Sequence, residues 1–377
     1  MPVQAVETVK TQTAISAAVP GINNTKDQNN MNRTLQIKNL TIKNRFAVPP
    51  MVCFHWTDDN GYVTDKNIEH YRELAKGGFG LIIVEATAIT KRSRLADTEL
   101  GIWEDGQIEG LKKITDVIHE NGAKTFIQLL HAGGNGIDPT PDAPSSTVYR
   151  DRNHAVEMSK DTIKRTIDDF VKAALRAKKA GFDGVELHGC HGYLISQFCN
   201  SRNNLRTDEY GENKALFAIE TLKAVKEACG DDFVVGIRLG AFEPLLEDGL
   251  KNAEAIKDYT DFIDASYGGD CDSCSPEGFG LSDAVYGASK IKELLPDMPV
   301  FGVHNINSAE DVKAALATGI DMVDIGKAAL VDPHFAGHIL AGEPYGQCLH
   351  CNNYCRWNPW EMADPDKKCP GYLKFHR

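Results

Sequence analysis

The sequence contains no apolar run that approaches the roughly 20 residues of a membrane-spanning helix. Its N-terminus lacks the charged, apolar and small-residue succession of a secretory signal and the Arg-rich bias of a transit peptide. Basic residues are also in deficit, because 41 Lys and Arg stand against 53 Asp and Glu, for a formal net charge of −12. Such a surface is unsuited to nonspecific nucleic-acid binding, which requires cations to neutralise phosphates. We therefore expect a cytoplasmic protein whose partners include neither a membrane nor a nucleic acid.

A disulfide framework is not expected either. Six of the 10 cysteines are scattered along the chain, and the other four cluster near the C-terminus as Cys348, Cys351, Cys355 and Cys369. In a long chain without an export signal, this distribution favours reduced thiols and one metal site over structural disulfides.

Three parts of the chain differ in composition. Residues 1–31 are polar, poor in aromatic residues and without periodicity, which predicts a mobile N-terminal extension. Residues 32–345 alternate short apolar runs with amphipathic segments and are predicted to form one barrel domain, and residues 346–377 form a short Cys-rich segment. The apolar runs are Phe46–Met51, Gly80–Ala86, Lys124–His131, Asp183–His188, Phe233–Leu239, Asp261–Ser266, Pro299–Val303 and Asp321–Ile325.

Apolar runs that alternate with helical segments indicate a parallel sheet covered by helices. Amphipathic segments such as Glu109–Asn121, Asp161–Ala180 and Ser308–Thr318 lie between the runs, and a glycine that permits a left-handed turn follows each. Eight such units predict an α/β fold of the closed (β/α)8 TIM-barrel type. A doubly wound open sheet is the alternative, which is weakened because no G-x-G-x-x-G follows the first strand.

Polar side chains occur at the predicted carboxyl ends of the strands, where barrel enzymes place their active sites. The fourth strand ends in His188, and His191 and Tyr193 follow in the turn. Two imidazoles can donate hydrogen bonds to one oxygen, and a phenol can donate a proton at neutral pH. This set suits reduction of an α,β-unsaturated carbonyl, in which enolate charge develops on that oxygen. Taken alone, H-x-x-H also fits zinc binding or a structural role, although the sequence offers no obvious third ligand beside it.

The segment from Gly181 to Leu194 resembles the active-site segment of the old yellow enzyme family, and Arg206–Gly211 matches its continuation. Other motifs match that family in the same order, namely Asn44-Arg45 with Pro50-Met51, Val84–Ala86, Ile127–Leu129 with His131–Gly133, and Ile325-Gly326. The resemblance covers about residues 35–345. It implies an FMN-binding barrel that passes hydride from NADH or NADPH to an electron-poor alkene.

The resemblance also implies roles for individual residues. His188 and His191 would bind the substrate carbonyl, and Tyr193 would donate the proton. Gln128 would hydrogen-bond the pyrimidine edge of the flavin, and Arg238 would lie near N1 and O2, where charge builds on reduction. The residues implied to line the flavin are Pro50, Met51 and Ala86, and those implied to hold its phosphate are Gly302, Gly326 and Lys327.

Several positions depart from the family pattern. Lys327 stands where the family usually has Arg, and Lys is a point charge without a bidentate fork. Val52 occupies the place of a Thr or Cys that donates to flavin O4, and Cys53 replaces that donor only if the strand bulges. The loop after Gly211 looks deleted and the helix before the sixth strand looks trimmed, so we expect a reshaped site.

The spacing Cys348-x2-Cys351-x3-Cys355-x13-Cys369 resembles the iron–sulfur segment of the 2,4-dienoyl-CoA reductase branch of that family. Four thiolates at close spacing suit a 4Fe–4S cluster or a tetrahedral zinc, and unmetallated thiols are the alternative. In that branch the cluster relays electrons from a second flavin-binding domain, which we do not expect within these 377 residues.

Three functional hypotheses follow. The leading one is an FMN-dependent ene-reductase with a small-molecule substrate. A flavoprotein that binds a ligand or partner without turnover would fit Val52 and the deleted loop. A lyase or isomerase of phosphorylated sugars would fit the phosphate site, although no lysine lies clearly at a strand end as a Schiff-base residue. A homo-oligomer and an external electron-donor protein stay open as partners.

Overall fold

The computed structural model describes residues 30–149, 153–267, 269, 271, 272, 274–351 and 369–376. The predicted mobile extension therefore lies almost entirely outside the described residues, and Cys355 lies outside them as well.

The predicted α/β fold is confirmed, because eight parallel strands close into a barrel in the order β10-β11-β12-β13-β14-β3-β4-β5. Each of the eight predicted apolar runs supplies one barrel strand. In chain order the strands are β1 (Leu35–Ile37), β2 (Leu40–Ile42), β3 (Phe46–Val48), β4 (Leu81–Ala88), β5 (Lys124–Leu130), β6 (Asp142–Ala143), β7 (Val148–Tyr149), β8 (Asn153–His154), β9 (Val156–Glu157), β10 (Gly184–Gly189), β11 (Val234–Gly240), β12 (Ile263–Ser266), β13 (Val300–Gly302) and β14 (Met322–Asp324).

The helices surround the barrel and cover its outer face. They are α1 (Asp65–Lys76), α2 (Ile108–Glu120), α3 (Lys160–Lys179), α4 (Leu194–Cys199), α5 (Glu209–Glu212), α6 (Leu216–Cys229), α7 (Leu246–Ile256), α8 (Asp283–Leu294), α9 (Ala309–Ala317), α10 (Lys327–Val331), α11 (Phe335–Ala341) and α12 (Pro370–Phe375). No helix in the described part of the chain combines the length and apolar character needed to cross a bilayer.

Local sequence explains where the long helices begin and end. The side chain of Ser159 accepts a hydrogen bond from the backbone N–H of Thr162 at the start of α3. The glycines that follow α2, α3 and α9 have φ angles of +73° at Gly122, +90° at Gly181 and +97° at Gly319, as the sequence predicts.

The inner face of the barrel changes character along the strands. Near their amino ends, the rings of Phe126, Phe262 and Phe301 stack with centroids 5.2 and 4.8 Å apart. The hairpin of β1 and β2 packs against this apolar cluster and covers that end of the barrel. Because alternate residues share a face, inward positions further along five of the strands can be identified, and they are polar, as Gln128, Glu186, Arg238, Asp264 and Asp324.

Candidate active site

A cleft lies at the carboxyl ends of the barrel strands. It consists of a larger cavity of about 700 Å³ and a smaller one of about 340 Å³. Both cavities are lined by Pro50, Met51, Arg238 and Lys327, so they are two parts of one cleft. A barrel of this type places its reactive groups at this end.

The smaller cavity brings together the three predicted catalytic residues. His188, His191 and Tyr193 all line it, together with Gln128 and Ala86. The ring of His188 meets the ring of Tyr193 edge to face, with centroids 4.8 Å apart, and the ring of His191 at 5.1 Å. The two imidazoles and the phenol therefore face the same small volume.

The turn after β10 explains how these side chains converge. His191 and Gly192 both have left-handed backbone angles, with φ of 61° and 73°. Tyr193 then returns to an extended conformation as the N-cap residue of α4. The Nε2 atom of His191 lies 2.9 Å from the hydroxyl of Ser266 on β12, which fixes the ring across the barrel mouth.

His188 is held neutral by its surroundings. Burial lowers its pKa well below the ordinary value, and the charge of Arg238 lowers it further. Burial also raises the pKa of the Cys190 thiol, whose sulfur lies 3.7 Å from His188 Nδ1. Because that thiol keeps its proton, it can donate to Nδ1, and the imidazole proton is then left on Nε2.

A buried cluster of charges lies beneath the cleft. Arg238 Nη1 is 3.3 Å from Asp264 Oδ2, and the side-chain amide of Gln128 donates to Glu186 Oε1 at 2.8 Å. Strand register sets these contacts, because Gln128 pairs with Glu186 and Arg238 pairs with Asp264. Burial opposes the charge of Arg238, but the carboxyl of Asp264 holds the Arg238 pKa above its ordinary value.

The sequence interpretation did not anticipate the acidic part of this cluster. Burial raises the pKa values of Glu186, Asp264 and Asp324, and one guanidinium cannot neutralise three carboxylates. Among the described residues, no donor hydrogen-bonds the carboxyl oxygens of Asp264 or Asp324, which lie close enough to share a proton. The sequence did contain a signal for this cluster, because Glu186, Asp264 and Asp324 each interrupt an otherwise apolar strand.

The larger cavity is the predicted phosphate end. Gly326 and Lys327 line it where β14 meets α10, and residues 303–307 line it after β13. These are the two loops that commonly bind phosphate in barrels of this type. Gly302 does not line the cleft, because its Cα faces Ile320. His304, which the sequence interpretation missed, lines the cavity, and burial lowers its pKa to about 4.

The two residues after Pro50-Met51 point in different directions. Val52 lines the smaller cavity, at the place where the family usually has a Thr or Cys donor. The Cys53 side chain is buried away from the cavity, and its backbone N–H donates to Glu85 Oε2 at 2.6 Å. Cys53 therefore does not take the place of the missing donor to a flavin.

The residues of the cleft fit an FMN molecule. Arg238 Nε is buried and has no partner among the described residues, so a ring carbonyl or nitrogen would satisfy it. Pro50, Met51 and Ala86 supply an apolar surface for a planar ring, and Gln128 offers an amide at one edge. Lys327 supplies positive charge at the other end of the cleft.

The Cys-rich tail approaches the same site. Cys348 and Cys369 line the smaller cavity, and α12 packs against α10 beside Lys327. Among the described residues, Cys348, Cys351 and Cys369 do not bring their sulfur atoms together within 4.8 Å. The fourth predicted ligand, Cys355, lies outside the described residues.

Comparison with known proteins agrees with the site. The chain is 35% identical to an NADPH dehydrogenase of Clostridium acetobutylicum over 317 residues, which are 79% of this chain and 91% of that enzyme. An old yellow enzyme homologue from Zymomonas mobilis superposes with a TM-score of 0.72 at 26% identity, covering 84% of this chain and 94% of that one.

A larger relative has the same barrel as one part of its chain. The complex of 2-naphthoyl-CoA reductase with 2-naphthoyl-CoA superposes with a TM-score of 0.77 at 26% identity over 84% of this chain. The present chain spans only 53% of that reductase. A model of the NADH:flavin oxidoreductase / NADH oxidase family matches residues 33–345. The chain therefore belongs to this family and is an NAD(P)H-dependent FMN oxidoreductase.

Proposed function

We propose that the chain reduces the C=C bond of α,β-unsaturated carbonyl compounds and similar electron-poor alkenes. The observation that carries the proposal is the convergence of His188, His191 and Tyr193 on the cavity that Gln128 and Arg238 also line. Two donors for one oxygen and one acid beside it are the groups that conjugate reduction requires.

The imidazoles would bind the carbonyl oxygen of the substrate. His188 is neutral and carries its proton on Nε2 when the Cys190 thiol donates to Nδ1. It therefore donates a hydrogen bond without losing a proton to the substrate. His191 is oriented by Ser266 and supplies the second contact. Both bonds strengthen as enolate charge develops on the oxygen.

Tyr193 would supply the proton to the α-carbon. Its phenol lies at the start of α4, buried against the His188 ring. FMN, when bound, would supply NAD(P)H-derived hydride for the β-carbon. The C=C bond becomes a C–C single bond and two C–H bonds form, with the hydride and the Tyr193 proton as their sources. Solvent then returns a proton to the phenolate.

The cavity limits the class of substrate. A bound flavin ring would take part of its volume of about 340 Å³, and the small remaining space with its apolar lining by Phe54, Leu95 and Leu330 favours a compact, largely apolar enone or a conjugated acyl group. The structural relative named for 2-naphthoyl-CoA reduction supports a conjugated carbonyl as the common feature.

A phenol titration directly tests whether His188 and His191 bind the substrate oxygen. Phenolates mimic the enolate, so they should bind the FMN-loaded protein and shift the flavin absorbance. Replacing His188 or His191 with Ala should weaken phenol binding by about 10- to 100-fold, because each charge-assisted hydrogen bond contributes roughly 1.5–3 kcal/mol. The matched control is His131→Ala, since His131 is buried directly after the neighbouring strand β5 and does not line the cleft. Unchanged phenol binding in both His188→Ala and His191→Ala would overturn the assignment.

We extend the proposal to a 4Fe–4S cluster bound by Cys348, Cys351, Cys355 and Cys369. The support for this assignment is the spacing Cys348-x2-Cys351-x3-Cys355-x13-Cys369, which resembles the iron–sulfur segment of a branch of the old yellow enzyme family. A tetrahedral zinc held by the same four thiolates is the alternative. Iron, sulfide and zinc analysis of anaerobically purified protein tests this assignment. Zinc without iron would support the alternative, and neither metal would refute both.

A further inference from the structure

The turn after β10 contains a third metal-binding side chain beside the two histidines. Cys190 is fully buried and, being two residues after His188, lies on the same side of the extended backbone. The left-handed backbone of His191, with φ of 61°, then turns its ring toward the other two. The ligand atoms of His188, Cys190 and His191 consequently lie within 4.8 Å of one another. Sequence alone showed no third ligand here, and the fold supplies it.

The distances are close to those of a zinc site. His188 Nδ1 and Cys190 Sγ are 3.7 Å apart. Bonds of about 2.0 Å to nitrogen and about 2.3 Å to sulfur place those two ligands roughly 3.6 Å apart around a tetrahedral zinc. A tetrahedral zinc holds two ligand nitrogens roughly 3.3 Å apart, so the ligand atom of His191 must move by at most about 1.5 Å to reach the same ion. It is the least buried of the three and would exchange its contact with Ser266 for the metal.

We propose that His188, Cys190 and His191 bind a borderline-soft divalent cation of the Zn²⁺ class, and that this cation and the substrate exclude each other. Three protein ligands leave one coordination position open toward the cavity. The exclusion rests on the proposed function, because His191 must give up its contact with Ser266 to reach the cation and then no longer has the orientation in which it contacts the substrate oxygen. Metal binding itself does not depend on that function.

The chemistry of the ligand set selects the kind of cation. A thiolate and two imidazoles prefer zinc and related ions, whereas Mg²⁺ and Ca²⁺ prefer oxygen ligands. The cation must displace the proton of a buried thiol, and its positive charge favours the thiolate that results. Arg238 opposes the cation electrostatically, and the carboxyl of Asp264 beside Arg238 offsets part of that charge.

Zinc inhibition of the FMN-loaded full chain tests the proposal. Zinc should inhibit enone reduction competitively with the enone, EDTA should reverse the effect, and Mg²⁺ should have none. Cys190→Ser should need at least about 10- to 100-fold more zinc for half-maximal inhibition, because changes in residues that only support metal ligands already have effects of that size. The rate of each variant is expressed relative to its own rate without metal. Cys190→Ala serves as a second variant, and FMN occupancy reports correct folding. Equal zinc sensitivity in wild type and both Cys190 variants would overturn the proposal.

Cys351→Ser is the matched control, because the tail also carries thiols near the cavity. It should keep the zinc sensitivity of the wild type. Loss of inhibition in Cys351→Ser with inhibition retained in Cys190→Ser would place the zinc in the tail and refute the proposed site.

A cobalt spectrum separates failure of this site from failure of the proposed function. Co²⁺ bound to a thiolate gives a charge-transfer absorption that requires no turnover. The band should be larger in Cys351→Ser than in the Cys190→Ser/Cys351→Ser double variant. A Cys190-dependent band without enone turnover would refute the ene-reductase proposal alone. Normal turnover with no Cys190-dependent band would refute the metal site alone.

Discussion

At the scale of single residues, Arg238 is the one cation, among the residues that the structure describes, in a buried cluster that also contains Glu186, Asp264 and Asp324. Burial raises the pKa values of Glu186 and Asp324 and so favours their neutral forms, while Asp264 forms the ion pair with Arg238. Neutral forms of Glu186 and Asp324 leave more of the Arg238 charge available to a flavin ring that becomes negative on reduction.

Arg238→Met should lower the reduction potential of bound FMN, because the charge that stabilises the reduced ring is lost. It should also lower the free energy of unfolding by about 3–5 kcal/mol, as removal of one partner of a buried pair does. Dye-equilibration titration measures the potential. Asp324→Asn is the control and should change the potential less, because burial raises the pKa of Asp324 and favours its neutral form. An unchanged potential in Arg238→Met at full FMN occupancy would contradict this role.

Glu85 makes stability depend on pH. Burial raises its pKa from 4.5 to about 7, although it accepts hydrogen bonds from the Cys53 N–H and the Tyr71 hydroxyl. The folded protein keeps this proton while the unfolded chain loses it, so the free energy of unfolding should fall as pH rises between these values and level off above them.

Glu85→Gln should remove this decrease in the free energy of unfolding with rising pH, which amounts to about 3 kcal/mol for one carboxyl. Gln can still accept from the Cys53 N–H through its carbonyl oxygen. Urea unfolding of both proteins between pH 4 and pH 8 measures the difference, and subtraction cancels the other titrating groups. Parallel curves for wild type and variant would show that the buried carboxyl does not carry this linkage.

At the scale of elements, the barrel strands were the most predictable part of the structure. Strands covered on both faces are apolar throughout, so each appears as a short continuous run between glycine-terminated helices. The convergence of Arg238 with Asp264 was not predictable, since it depends on the register between β11 and β12. The sequence did not identify Cys190 as a third ligand beside the two histidines. No residue pattern marks His191 for the left-handed conformation that turns its ring toward Cys190.

The amino end of the barrel should govern stability without affecting the flavin. Phe262→Ala removes the central ring of the stack with Phe126 and Phe301 and should lower the free energy of unfolding by about 3–5 kcal/mol. Phe262→Leu is the control with a smaller expected loss. The FMN spectrum and potential should stay unchanged in both, because the cleft lies at the opposite end. A shifted potential would show that the two ends are coupled.

At the scale of the whole molecule, the barrel carries all the residues that we propose for binding the flavin and the substrate, and the Cys-rich tail adds thiols at the edge of the cavity. The family and the barrel could be predicted from ordered motifs spread over most of the chain. The approach of Cys348 and Cys369 to the active site could not, because it depends on how α12 packs against α10.

Cys351→Ser should lose any metal bound by the tail while keeping FMN and NADPH-driven enone reduction. Nicotinamide can reduce the flavin directly, so a cluster matters only when electrons arrive singly from an outside donor protein. Metal content, FMN occupancy and turnover are measured on the same preparation. Loss of turnover with FMN still bound would make the cluster an obligatory relay.

The central claim is that Tyr193 protonates an alkene held by His188 and His191, and anaerobic stopped-flow spectroscopy tests it most directly. Flavin reduction by NADPH and flavin reoxidation by an enone are recorded separately for wild type and Tyr193→Phe. We expect reoxidation to slow by about 10²- to 10⁴-fold, the usual contribution of a general acid, while reduction by NADPH is nearly unchanged. Equal slowing of both half-reactions, or an unchanged rate of reoxidation, would contradict the account.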